Sequence, residues 1–298
     1  MDQRHRPGLG GTQLDTKTIG LYAFTCMSFA TIGTKMDVSE WENGWQLWDL
    51  ISHLKDSAVV GPTNLYRGQS DAEWGLTPAL YRREVHIFSE QLSKAELYLR
   101  AEEAMLRAFF DQGALLLPDF QRAPFIDRFV AQHYGVPTQL LDWTLDPLIA
   151  LFFAVSGDPE KDCALFYMQP LSRVWSDRTN IKLPWDGKIA ALKPPVLDDR
   201  IRTQKSFFTV QSFQGADTFL PLDQRALKVS KKNEGTHPND EVSTFGKVIV
   251  PARRKQQVLF QLLQLGIDSS LVYPGLQGIG QRIADIANIQ KYGGRDIY

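Results

Sequence analysis

Cysteine is scarce: only Cys26 and Cys163 occur in 298 residues, far apart and in unlike contexts. That excludes a disulfide framework and a paired-cysteine zinc site, and it fits a reducing compartment. An excess of either sign of charge is equally lacking, since 33 Lys and Arg face 34 Asp and Glu for a net charge of −1. No broad field draws the chain to DNA, RNA or an anionic membrane, so any nucleic-acid contact has to be local. Long apolar runs are missing too. The stretch IGLYAFTCMSFATIG (19–33) is too short and too polar to span a bilayer. As a signal peptide it lacks a clean small-x-small cleavage site, and its front region carries Asp2 and Asp15. Residues 1–36 are therefore expected to form a flexible leader, with the folded domain at 37–298, in the cytoplasm and without a membrane partner. The common catalytic fingerprints are absent as well: no G-x-S-x-G, no phosphate loop ending in Gly-Lys-Ser/Thr, no H-E-x-x-H. GLQGIG (275–280) carries glycines in the wrong order for dinucleotide binding. Five scattered histidines leave no metal site to be expected.

What is present is ample material for a core, 43% hydrophobic residues, arranged in periodic segments. Trp41, Trp45, Trp48 and Ile51 fall at helical spacing before Pro62. NLYRG (64–68) reads as a short strand closed by a glycine. A long amphipathic helix is expected at 89–110, with Leu92, Leu97, Leu99, Met105, Leu106 and Phe109 supplying the buried stripe. APFIDRFVAQHYG opens with Pro124 near the first helical position and stops at Gly135, with Pro137 just beyond. Asp146 and Pro147 form the cap and first residue of another helix, LIALFFAV, apolar on every side. DCALFYM (162–168) has the composition of a central strand. The segment 170–245 reads as mostly irregular, ending in the polar loop SKKNEGTHPNDEVST (230–244). KVIVPARRKQQVLFQLLQLGI (247–267) is a strand turning into a helix, and PGLQGIGQRIADIANIQKY (274–292) a final helix. Strands scattered among helices without strict alternation predict one α+β domain, a small central sheet flanked by several helices.

The chemistry is concentrated in two places. In NLYRGQ (64–69), Arg67 at a strand end can offer its guanidinium fork to a phosphate, with Gly68 allowing close approach and Tyr66 and Gln69 beside it. Equally, Arg67 can pair with a core carboxylate. AQHYGVPTQLLDWT (131–144) crowds polar groups against the apolar LIALFFAV, where each must be satisfied or must serve a ligand. Gln132 and His133 sit in the last turn of their helix and Tyr134 just after it, and Asp142 is placed to orient His133 across the loop. Trp143 can present a stacking face and Thr144 a hydroxyl to a ligand. The alternative makes Trp143 core, Thr144 a helix-start residue, and Asp142 a partner of local amides. Arg253, Arg254 and Lys255 at a helix start either await an anion or are simply solvated.

YRGQSDAEWGLTPALYRRE followed by AQHYGVPTQLLDWTLDPLIALFFAV resembles the FRG domain family, named for a Phe-Arg-Gly motif and continued by a segment of the form A-Q-H-y-G-x-P-T-R-L-L-D-W-T. RIRTQKSFF (200–208) is similar to a later family segment. Tyr66 replaces the phenylalanine, Gln139 stands where the family usually has arginine, and Ser206 where glycine is usual. No second anion clamp is therefore expected at Gln139. The order of elements also resembles ADP-ribosyltransferase-like folds. That resemblance implies NAD as cofactor or substrate, Arg67 on its phosphates, Trp143 or Tyr134 packed on the ring, and Thr144 as the small hydroxyl residue. No glutamate follows the DCALFYM strand in the expected pattern. Gln204 is nearest by position, so Asp142 substitutes for it or the site binds a nucleotide without cleaving it. The resemblance thus implies a transferase or glycohydrolase-like effector of a toxin or phage-defence system, acting on NAD, nucleic acid or a protein. A non-catalytic nucleotide, nucleic-acid or protein-binding module is the alternative, and a purely structural polar motif the third reading.

Overall fold

The computed structural model describes residues 37–41, 46–56, 64–84, 91–117, 119–170, 172–175, 189–211, 213, 217–225 and 242–291. The expected leader and Trp45 lie outside them. The strands are β1 (Asp37–Glu40), β2 (Leu65–Gln69), β3 (Leu141–Thr144), β4 (Cys163–Pro170), β5 (Ser172–Trp175), β6 (Ala190–Lys193), β7 (Ser206–Val210) and β8 (Val242–Val250). The helices are α1 (Leu47–Asp56), α2 (Lys94–Gly113), α3 (Pro124–His133), α4 (Pro147–Val155), α5 (Asp199–Thr203), α6 (Ala252–Gln264), α7 (Ser269–Val272) and α8 (Leu276–Lys291).

The architecture is α+β, as expected, but the sheet is larger than the sequence suggests: eight strands in the order β1-β8-β4-β2-β3-β7-β6-β5. The outermost pairs, β1 with β8 and β5 with β6, are parallel, and the inner pairs are antiparallel. Two expectations fail for one physical reason, pairing between distant residues. Residues 37–40 form a strand because β8 offers a free edge, so the helix starts only at Leu47 and leaves Trp48 64% exposed. Residues 170–245, expected to be irregular, supply β5, β6, α5, β7 and the start of β8. Val242, which the sequence places in an exposed loop, is buried.

Local signals fare better. Pro124 opens α3, Gly135 takes φ 93° just beyond its end, and Asp146 accepts from the Leu148 amide to cap α4. Every residue of β4 is buried, which fits a strand covered on both faces. In α2 the buried stripe is Tyr98, Glu102, Leu106 and Phe110, shifted from the expected leucines because a carboxylate sits in it. Glu102 is fully buried and accepts from Arg128 Nε and from both the amide and the side chain of Gln139.

One seam in the sheet positions everything that follows. β2 is in register with β4 from Leu65↔Met168 to Gln69↔Ala164, and β3 with β7 along its whole length. Between β2 and β3 only Tyr66↔Thr144 is paired. On one side of the seam α1, α4 and α6 pack with β4 and β8. On the other, α2 and α3 pack with β6 and β7 in a separate apolar cluster.

Candidate functional site

The opened seam is the floor of a cleft of about 820 Å³. Arg67 is part of its lining. One residue past the last paired position, its guanidinium reaches across the gap, and Nη1 donates to the Asp142 carbonyl at 2.9 Å and to Asp142 Oδ2 at 3.4 Å. The second contact is a long ion pair whose partner carboxylate is 58% exposed, against 17% for Arg67. Nε of Arg67 is buried and has no hydrogen-bond partner. Burial pulls the guanidinium below its ordinary pKa, Asp142 opposes that pull, and nearby Arg82 adds to it. Arginine nevertheless stays protonated, so the cleft holds a cation that its own surroundings under-satisfy.

The crowded polar motif now has a physical explanation. Gln132 donates to Asp142 Oδ1 and accepts from the Thr138 hydroxyl, and Thr138 also accepts from the Leu140 amide. Thr138, Gln132 and Asp142 thus form a chain that fixes the carboxylate beside Arg67. Asp142 does not orient His133, as the sequence had suggested. His133 lies at the end of α3, where Nε2 meets Asp198 Oδ2 at 2.6 Å, because α5 and its cap come up against α3 while Asp142 is taken by Arg67 and Gln132. Burial lowers the His133 pKa, Asp198 acting against and Arg200 with that shift.

Other expected residues take structural roles. Trp143 is 3% exposed and its indole N–H donates to Thr209, so only an edge of it reaches the cleft and no stacking face is free. The Thr144 hydroxyl donates to the Gln204 carbonyl and accepts from the Asp146 amide, tying β3 to α5 and α4. The Gln204 side chain is held by the Val272 carbonyl. Gly68 serves packing: a Cβ there would lie 1.8 Å from the Ala150 carbonyl of α4. Tyr66 and Gln69 line the cleft from β2, both nearly buried, whereas Tyr134 stacks on Phe109 and is not part of the lining. Gln139 faces Glu102 and stands outside the cleft. Lys255 is neither solvated nor waiting for an anion. It is 1% exposed, with Nζ donating to the carbonyls of Ser70, Asp158 and Lys161.

The lining also contains residues that the sequence does not single out: Arg82 at the end of a 3-10 turn and Arg83 just after it, Arg200 in α5, and Glu73 and Trp74 in the turn after β2. Four of these five lie inside YRGQSDAEWGLTPALYRRE, the stretch that carries the resemblance. The four arginines outnumber the lining carboxylates, Glu73 and Asp142, by two. Among the described residues no ion pair engages Arg82 or Arg83. Among the described residues no cluster of three or more His, Cys, Asp or Glu is placed to hold a metal, and no helix is long and apolar enough to cross a membrane.

The model of the FRG domain matches residues 62–163. The chain carries an FRG domain. The matched stretch of that domain runs from before β2 to the first residue of β4, and it supplies Arg67, the Thr138–Gln132–Asp142 chain and the Trp74 turn. Arg200 and Gln204 come from beyond it. No curated protein and no solved structure matches the chain.

Proposed function

We propose that the cleft binds a phosphate-bearing nucleotide of the NAD type, with a phosphate on Arg67. The observation that carries this reading is the under-satisfied guanidinium: Nε buried without a partner, Nη1 on a carbonyl and a distant carboxylate, at the floor of an open cleft. A phosphate oxygen completes such a donor set, and a fork-shaped cation matches it in two parallel bonds. The surrounding arginines draw in an anion of more than one charge and exclude cationic ligands.

The reading extends to transfer or hydrolysis at the ribose of NAD, in an effector of the toxin or phage-defence kind. NAD would supply a ribosyl carbon already bonded to a good leaving group. The chain's part is to hold the phosphates, exclude water from one face, and set a carboxylate near the developing positive charge. Glu73 and Asp142 are the carboxylates of the lining. The second reading, a binding module without turnover, is favoured by the engagement of the Thr144 hydroxyl and the Gln204 amide in internal hydrogen bonds.

Calorimetric titration with NAD and ADP-ribose, together with an assay of nicotinamide release, tests both. Binding that Arg67→Gln removes at unchanged melting temperature supports the site, and nicotinamide release lost in Glu73→Gln or Asp142→Asn supports the enzyme. Binding that survives Arg67→Gln rejects the site.

A further inference from the structure

The residues expected to stack on a ring do not offer a face to do so: Trp143 is 3% exposed with its indole N–H held by Thr209, and Tyr134 is outside the cleft lining. Trp74 is different. It lines the same cleft as Arg67 and is 52% exposed, and none of the ring or cation contacts among the described residues involves it. A single exposed tryptophan is in itself ordinary. What sets this one apart is the rigidity of its support.

The turn from Ser70 to Leu76 is tied down from both sides. Buried Lys255 donates to the Ser70 carbonyl and Lys247 to the Ala72 carbonyl. Ala72 donates to the Asp162 carbonyl, Leu76 to Asp223, and Asp71 accepts from both the Glu73 amide and Lys161. Gln69 completes the anchoring: Nε2 donates to the Gly75 carbonyl at 3.4 Å. Its Oε1 has no partner, although Gln69 is only 7% exposed and lines the cleft. A turn fixed this firmly loses little entropy when its tip engages a ligand. The tip offers a flat aromatic face, and the wall beside it an unused buried acceptor.

From the rigid turn, the open indole and the orphaned Gln69 Oε1 we infer that Trp74 is the stacking platform for a nucleobase that carries an N–H donor. The inference rests on the nucleotide reading of the cleft and deepens it by giving the base a place of its own, apart from the phosphate on Arg67. Base and phosphate are read at two separate places in the cleft, so each can be removed without the other.

The test compares AMP, which has both parts, with ribose 5-phosphate, which lacks the base, by calorimetry on the full chain. AMP is expected to bind about tenfold or more tightly than ribose 5-phosphate, the usual range for one stacked base. Trp74→Leu erases that advantage and leaves ribose 5-phosphate binding unchanged, and Trp74→Phe restores part of it. AMP also quenches a component of tryptophan fluorescence that is missing from Trp74→Leu. Equal binding of AMP and ribose 5-phosphate, or an AMP advantage that survives in a folded Trp74→Leu, overturns the inference while Arg67-dependent phosphate binding stands. Failure of both compounds to bind the wild type overturns the phosphate reading and the inference with it.

Discussion

The molecule contains two clusters built from the same parts: an arginine, a carboxylate and a glutamine. In one, Arg128, Glu102 and Gln139 lie between α2, α3 and the loop before β3, with Arg128 4% exposed and Glu102 fully buried. Glu102 is saturated by three donors, and the Arg128 Nε contact is 2.8 Å. In the other, Arg67, Asp142 and Gln132 lie across the seam between β2 and β3. There the charged contact is 3.4 Å and the carboxylate faces the cleft. The difference lies in where the sheet opens. In the sealed pair the carboxylate is filled from every side, although Arg128 Nη2 has no partner, and its disruption strands a charge in the core. An open pair has a replaceable partner, and that makes it fit to exchange an internal contact for a ligand. The same residue types thus hold the fold together in one place and leave it chemically available in another.

The comparison can be broken most forcefully at the sealed cluster. Glu102→Ala strands Arg128 and is expected to cost about 3–5 kcal/mol in urea unfolding. A cost below about 1 kcal/mol, the range of an exposed pair, would erase the distinction between the clusters. At the open cluster the pattern reverses. Arg67→Gln is expected to change unfolding stability by less than about 1 kcal/mol, because its carboxylate is largely hydrated, while abolishing binding of NAD in the same titration. Asp142→Asn sharpens the point. Removing the charge that competes with the ligand for Arg67 is expected to tighten binding of inorganic pyrophosphate by a factor of about five, read from the dissociation constant.

Part of this contrast was legible in the sequence. Pro124, Gly135 and the Asp146–Pro147 pair announce α3 and α4 because capping is local chemistry. DCALFYM (162–168) reads as a central strand from composition alone, and β4 covers Cys163–Pro170. Arg67, Gln132, His133 and Asp142 were all recognisable as polar groups pressed against a core, and the cleft gathers them. Their pairing was not recognisable. Whether Asp142 meets His133 or Arg67 depends on the β2–β3 seam, a contact between residues 75 apart in sequence. β1 and β5 exist only through partners far along the chain, so no periodicity in four residues could reveal them. Lys255 reads in the sequence as solvated or awaiting an anion because its three carbonyl partners come from two other turns. Trp74 carries no local signal, because nothing in AEWG distinguishes a pinned turn from a loose one.

The smallest expected effect concerns His133, which borders the open cluster. Burial holds its folded pKa below the ordinary 6.5, so between the lowered value and about 6.5 the unfolded chain binds more protons than the folded one. Stability is therefore full above about pH 6.5 and declines as the pH falls toward the lowered value. His133→Gln is expected to flatten that part of a melting-temperature profile against pH, and an unchanged slope would assign it to other groups.

The central claim is that Arg67 keeps a donor free for an anion. Nitrogen-edited NMR of arginine Nε–H groups, with the Arg67 signal assigned by its absence from Arg67→Lys, reads that donor directly. NAD is expected to shift the Arg67 Nε–H signal, while the Arg128 signal stays where it was. An Arg67 Nε–H signal left unmoved by saturating NAD would contradict it.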